Sequence, residues 1–205
     1  MITNFRLLWL IFFIPLLLSA ETITSTLNGG RWEEASTWAE GTIPSTGSNV
    51  IVNGPVIVST GNGYSCSNLT INSSGTLYNG VGYAWPDQVL IVNGDIVNSG
   101  IIRNEGRNGL VLNIKGDITN NGTWTFRRTE LSGTSNQIIS QGSGKYFESA
   151  FQVTDQTGQI IAGSAFAFTS WFDLNKCAFD LKNYPLTLKG ESANISNGIV
   201  YNVNM

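Results

Sequence analysis

Two aspartates, Asp95 and Asp117, stand at equivalent places in a phrase the chain uses twice, Gly94-Asp-Ile-Val-Asn98 and Gly116-Asp-Ile-Thr-Asn120, 22 positions apart. If the two phrases lie on successive layers of a β structure, their Cα atoms stack about 4.8 Å apart. At that spacing a carboxylate pair can share a proton or contribute to a Ca²⁺ site, which is chemistry a polysaccharide lyase or glycosidase uses. The other reading is structural. Gly-Asp is corner chemistry, with the Asp side chain bonding the backbone of the turn, and no third acidic residue joins the ladder to complete a Ca²⁺ shell. The corner is the expected role, so no metal and no cofactor is expected, and the acidic pair stands as the enzymatic alternative. The chain has no histidine, which excludes Ser-His-Asp, Cys-His and His-based metal sites.

The second candidate is aromatic. Tyr78-Asn-Gly-Val-Gly-Tyr83-Ala-Trp85-Pro86-Asp87 breaks the strand pattern, with two glycines just before Tyr83. A loop carrying Tyr83 and Trp85 suits stacking against sugar rings, since each ring has an apolar face and a polar edge. The alternative is that Trp85 folds back as a plug over an imperfect coil. Asp173 and Asp180 alternate outward from strand pairs and are expected on solvated faces; Arg127-Arg128 is expected to be a surface pair. Four Asn-x-Ser/Thr sequons, at Asn68, Asn72, Asn121 and Asn194, are expected by chance in so Asn- and Thr-rich a chain and are given no role.

The elements that must position these residues follow from the patterning. Met1 to Arg6 carries one positive charge, Leu7 to Leu18 is an unbroken apolar run, and Ser19-Ala20 supplies small residues for cleavage, so residues 1–20 read as a signal peptide. The run is too short for the roughly 20 apolar residues of a spanning helix and contains Pro15, so the membrane is expected as a partner only during export. The remaining 185 residues suffice for one domain with a core. Charged residues make up 12% of the chain, half the usual ~25%, and Asn, Gly, Ser and Thr replace them. That composition disfavours helices and suits strands and tight turns. Eleven basic residues face 14 acidic ones, a balance that argues against nucleic-acid binding, which needs clustered Lys and Arg. Cys66 and Cys177 lie too far apart along a repeating structure to pair and are expected as buried free thiols.

Period-2 alternation runs through most of the mature chain. Leu90-Ile-Val-Asn-Gly-Asp-Ile-Val-Asn-Ser-Gly-Ile-Ile102 aligns without a gap on Leu112-Asn-Ile-Lys-Gly-Asp-Ile-Thr-Asn-Asn-Gly-Thr-Trp124. Leu90 and Leu112, Val92 and Ile114, Ile96 and Ile118, and Ile102 and Trp124 fall in register as inward positions, with Gly-Asp at one corner and Gly100 or Gly122 at another. Apolar pairs separated by polar corners at this period describe a parallel β-helix. Weaker copies extend upstream to Val50 and downstream through Phe151-Gln-Val153, Phe166-Ala-Phe168, Phe172-Asp-Leu174, Phe179-Asp-Leu181 and Leu186-Thr-Leu188, giving roughly six coils between Val50 and Gly190. Asn98 and Asn120 are expected to form an amide ladder, with Gly supplying the positive φ of a sharp corner.

The stretch Gly30-Arg-Trp32, Ser36-Thr-Trp38, Gly41-Thr-Ile-Pro44, Asn49-Val-Ile-Val52 and Cys66-Ser-Asn-Leu69-Thr-Ile71 resembles the N-terminal opening of secreted or cell-surface parallel β-helix proteins of the Bacteroidetes type, many of them adhesin-like. Asp180-Leu-Lys-Asn-Tyr-Pro-Leu-Thr-Leu-Lys-Gly190 resembles a recurring phrase of that family. The resemblance implies a right-handed coil, a cap over residues 21–49 containing Trp32 and Trp38, and repeats over 50–205. Such proteins commonly continue into further modules and a C-terminal sorting domain; with neither present, a truncated product or a simpler export route is expected.

The sequence thus leads to an all-β, single-stranded parallel β-helix, secreted or at the cell surface, with a structural, adhesive or glycan-contacting role and no catalysis. Glycans or other surface components are the expected partners. A polysaccharide-active enzyme using Asp95 and Asp117, and a fragment of a larger surface protein, remain the alternatives.

Overall fold

In a chain where every second residue is apolar and turns recur after three to five residues, no strand is long enough to bury its apolar face by hairpin pairing. Stacking coil on coil is the arrangement that covers each inward residue from both sides. A computed structural model describes residues 20–59, 63–80, 86–105 and 108–203, and within them the chain winds as a three-faced β-solenoid of about seven turns.

The first face is a nine-stranded sheet that runs from Thr22–Thr24 through Asn49–Val52, Leu69–Ile71, Ile96–Asn98 and Ile118–Asn120 to Gln137–Gln141, Ile160–Ala162, Ala178–Asp180 and Ile199–Tyr201. The second face begins with Gly30–Arg31 and Pro55–Val58, continues through Thr76–Asn79 and Ile101–Arg103, and stops at Thr123–Thr125. It resumes as a separate pair, Phe166–Phe168 on Leu186–Leu188. The third face has seven strands, from Tyr64–Cys66 and Gln88–Val92 to Trp171–Asp173 and Asn194–Ser196. Strand pairing is parallel on all three faces, including Val50↔Leu69, Ile96↔Ile118 and Leu90↔Leu112. Pairing already begins at Thr22–Thr24 and continues to Tyr201, beyond both ends of the region from which six coils are expected.

The inward residues are those the alternation selects. Val50, Val52, Leu69, Ile71, Leu90, Val92, Ile96, Ile102, Leu112, Ile114, Ile118 and Trp124 are buried. From Trp124 onward the aliphatic core gives way to an aromatic one. Phe147, Phe151, Phe166, Phe168, Phe172 and Phe179 are fully buried, with neighbouring centroids such as Phe147–Phe151 at 5.1 Å and Phe166–Phe179 at 5.2 Å in edge-to-face contact. Each such pair adds about 0.5–1.5 kcal/mol beyond area burial. Trp124 is wider than the Ile102 beneath it and brings an indole N–H into the core. That N–H donates to Thr129 Oγ1 and Ser149 Oγ, both at 3.1 Å, and the two hydroxyls bond each other at 2.8 Å, so the polar group is fully used.

The two ends of the rod differ. At the N-terminal end Trp32 and Trp38 pack edge to face at 5.1 Å, and Trp38 Nε1 donates to the Trp32 carbonyl at 2.9 Å. The segment around the short 3-10 turn at Ala35–Thr37 then covers the first strand, with Ala39 N donating to Thr24 O at 2.8 Å. At the other end of the described residues the inward positions are less covered. Leu188, expected to point inward with Leu186, is 48% exposed, and Val200, stacked on Phe179, is only partly buried.

Three expectations about corners are corrected. Gly94, Gly100, Gly116 and Gly122 do not adopt positive φ. They are glycines because the coils approach too closely for a side chain: a Cβ on Gly122 would lie 2.1 Å from Gly100 O, and one on Gly100 would lie 2.3 Å from Asn72 O. Left-handed corners do occur in the last coils, at Asn175-Lys176 and Lys182-Asn183, where Asp173 and Asp180 build them. Asp173 Oδ1 accepts from Asn175 N at 3.0 Å and from Asn197 Nδ2 of the next coil at 3.0 Å; Asp180 Oδ1 accepts from Lys182 N at 2.9 Å and from Asn202 Nδ2 at 2.7 Å. Asp180 is therefore not on a solvated face. It is 3% exposed, and the hydrogen bond from the Lys182 ammonium holds its carboxyl down at about 2. Finally, both cysteines are free, but Cys177 is only half-buried, its thiol donating to Gly158 O at 3.1 Å, while burial pushes the Cys66 thiol up to about 12.

The close approach at the glycine corners gives a direct test. Gly122→Ala should lower stability to denaturant by about 1–3 kcal/mol or more. Gly47→Ala, with nothing within 4 Å of its Cβ, should stay within about 0.5 kcal/mol of the parent.

Candidate functional site

Asp95 and Asp117 are stacked as their spacing implies, and each uses its Oδ1 as an acceptor within the fold. Asn68 Oδ1 accepts from Asp95 N, Asp95 Oδ1 accepts from Asp117 N, and Asp117 Oδ1 accepts from Ile138 N, each at 2.8 Å. One coil further on, Asn136 Oδ1 accepts from Gln159 N at 2.9 Å. The corner side chain of each coil thus takes the N–H of the next, whether it is an amide or a carboxylate. That indifference to charge marks a structural acceptor, because a metal or proton site would require the carboxylate. Among the described residues no three Asp, Glu or Cys side chains converge where they could hold a metal ion.

A second ladder is buried. Asn98 and Asn120 occupy an inward position of the first face, one coil above Ile71. Asn98 Nδ2 donates to Asn120 Oδ1 and to the Thr123 carbonyl, both at 2.9 Å, and its Oδ1 accepts from Gly100 N at 3.1 Å. The amides satisfy backbone groups that the tight glycine corner leaves without a rung. Gln141 faces Asn120 in the next coil, but its Nε2 turns away to the Lys145 carbonyl at 2.8 Å, and the ladder ends there.

Tyr83 and Trp85 lie outside the described residues. Arg127 pairs with Asp87 at 3.0 Å and Arg128 with Glu130 at 2.8 Å, so these cations lie on the surface as expected, in ion pairs.

The outer surface offers one aromatic-lined cleft among the described pockets, at the interruption of the second face. After Gln141 the chain makes a turn, with Lys145 N donating to Gly142 O at 3.0 Å and Gly144 at φ +73°. It re-enters the stack at Phe147, which is fully buried against Trp124 and bridges Phe168. Because side chains alternate along an extended segment, an inward Phe147 places Tyr146 and Glu148 outward on the same side. Glu148 N donates to Trp124 O at 2.9 Å, locking the pair beside Thr123–Thr125. Thr125 Oγ1 donates to Glu148 Oε2, and interaction with the Glu148 carboxylate holds the Tyr146 phenol above its usual value. Lys189 Nζ sits 4.2 Å from the Tyr146 ring centroid. Tyr146, Glu148, Lys145, Thr123 and Thr125 line a cleft of about 230 Å³.

These residues escape a reading based on the clean repeat. Their signal is the one that draws attention to Tyr83: an aromatic next to a glycine-punctuated turn, here Gly142-Ser-Gly144-Lys-Tyr146.

A larger, shallower groove of about 700 Å³ lies at the corner between the third and first faces, lined by Asn136, Gln156, Gln159, Asn175, Lys176 and Cys177 among others. It has no aromatic wall, and burial raises the Cys177 thiol, which weakens it as a nucleophile. Comparison with protein-family models, curated proteins and solved structures finds no match to this chain.

If Asp95 is a corner acceptor, Asp95→Asn should leave stability nearly unchanged, while Asp95→Ala, which strands the Asp117 N–H, should cost about 1 kcal/mol. Millimolar Ca²⁺ should not shift the thermal midpoint of the parent protein; a Ca²⁺-dependent rise abolished by Asp95→Asn would identify a metal site instead.

Proposed function

We propose that this protein is an exported, non-catalytic β-solenoid that works outside the cell or at its surface as an adhesive or glycan-contacting rod. The observation that carries this reading is how the carboxylates are used. Glycoside hydrolysis ordinarily needs two carboxyl groups flanking the bond, about 5–5.5 Å apart for retention or about 6.5–9.5 Å for inversion. The stacked pair Asp95 and Asp117 bonds backbone N–H groups along the rod, and the aromatic cleft is lined by a single carboxylate, Glu148.

Export is supported by the charge-then-apolar leader ending at Ser19-Ala20. The low charge and the uncharged polar surface suit a rod that meets hydroxyl-rich partners through hydrogen bonds, and the acidic balance of the chain does not suit a nucleic-acid partner. The same features are in keeping with the adhesin-like surface proteins that the N-terminal motifs resemble.

The reading predicts that the protein expressed in its host appears outside the cytoplasm with a new N-terminus near Glu21. It also predicts no release of reducing ends or unsaturated products from neutral or acidic polysaccharides. Turnover that is lost in Asp95→Asn would overturn the non-catalytic assignment, and a cytoplasmic protein with its leader intact would overturn export.

A further inference from the structure

We propose that the cleft formed by Tyr146, Glu148, Lys145 and Thr125 on the second face binds a single pyranose residue of a glycan. The proposal rests on the glycan-contacting reading above and gives it a place on the rod.

The cleft exists because the second face is interrupted. Between Thr123–Thr125 and Phe166–Phe168 a full strand is replaced by a turn and a single bridging residue, Phe147. Over much of the described surface the period-2 pattern presents short polar side chains on a flat sheet, with exceptions such as Trp171. Here it presents an aromatic ring and a carboxylate side by side, on a backbone fixed from both neighbouring coils by Glu148 N to Trp124 O at 2.9 Å and Phe147 N to Ala167 O at 3.0 Å.

The chemistry of the lining fits a sugar better than other small ligands. The face of the Tyr146 ring that Lys189 does not cover offers an apolar surface for the C–H face of a pyranose. Lys189, 4.2 Å from its centroid, holds the ring's position, so less ordering is left for the ligand to impose. A carboxylate has about four acceptor sites. One is taken by Thr125 Oγ1, and the remainder can accept from adjacent sugar hydroxyls. Lys145 and the Thr123 hydroxyl supply donors at the rim. The volume, about 230 Å³, equals that of roughly seven or eight liquid waters at ~30 Å³ each, enough for one sugar ring and its hydroxyls but not for a chain laid lengthwise. The site therefore suits a terminal or branching residue, and a lone pyranose should bind weakly, with Kd in the millimolar range.

The test uses the mature chain and the methyl glycosides of glucose, galactose, mannose and galacturonic acid as probes, followed by saturation-transfer NMR and titration. At least one probe should receive saturation and titrate at millimolar concentration; the galacturonoside arm shows whether Lys145 favours an acidic sugar. Tyr146→Ala and Glu148→Gln should each weaken binding roughly tenfold or more, with circular dichroism and thermal midpoint close to the parent because both side chains point outward. Trp171→Ala, on an exposed part of the third face, should bind as the parent does. Binding that is unaffected by both cleft substitutions, or no binding of any probe while intact polysaccharide is still retained, would overturn the site and leave the glycan-contacting reading standing. If neither the methyl glycosides nor immobilised polysaccharides bind the parent, both fall.

Discussion

Each coil of this solenoid has two open edges and can close neither alone. A three-residue strand makes few hydrogen bonds within its own turn of chain, and its one or two inward residues bury nothing until another coil lies above and below. The whole structure depends on that axial contact, repeated through parallel rungs such as Thr22↔Asn49, Ile96↔Ile118 and Phe179↔Val200. Burial contributes roughly 1.5–3 kcal/mol per large apolar side chain. Ordering the backbone costs about 1–2 kcal/mol per residue. A single coil of about twenty residues with a handful of inward side chains therefore cannot be stable by itself, whereas the stacked array can.

The corners are where that dependence becomes chemically specific. Rungs leave backbone N–H groups unpaired wherever the chain turns, and the sequence fills those places with short side chains that reach one layer along the axis. The acceptors Asn68, Asp95, Asp117 and Asn136 act on the exposed corner, the amides of Asn98 and Asn120 on the buried one, and Asp173 and Asp180 on the left-handed corners near the end. Glycine at 100 and 122 lets the backbones come close enough for this bonding to operate. The same geometry gives many polar side chains in the most repetitive part of the chain partners within the rod. Where the repeat falters, after Gln141, outward groups are released from that duty, and Tyr146 and Glu148 form the aromatic cleft.

The β-solenoid, its inward residues and the Asn98–Asn120 ladder were legible in the sequence, because a gapless 22-residue self-alignment fixes both period and register. Other features were not. Coil length varies between neighbouring layers, as the corner bonds spanning 19 residues from Asn49 to Asn68 and 27 from Asn68 to Asp95 show, so one repeat length cannot count the turns. Glycine needed for close approach looks identical in sequence to glycine needed for positive φ. Asp180 appears outward by alternation, but it sits at a corner, where alternation no longer governs direction. The cleft at Tyr146 depends on a gap in the second face, and nothing local in Gly-Lys-Tyr-Phe-Glu reveals that its neighbours lack a strand there.

Because stability is held between coils, it should fall where a coil has only one neighbour and no cap. Trp32 and Trp38 pack over the N-terminal end, while among the described residues Leu188, an inward position of the last coil, is largely exposed. Native-state amide hydrogen exchange followed by mass spectrometry measures this directly. Protection should be greatest in the central strands from Leu69–Ile71 to Ala150–Val153, remain high beneath the tryptophan cap, and drop sharply across Leu186–Leu188, Asn194–Ser196 and Ile199–Tyr201. Uniform protection from residue 22 to residue 201, or a capped end that exchanges before the open one, would contradict the account.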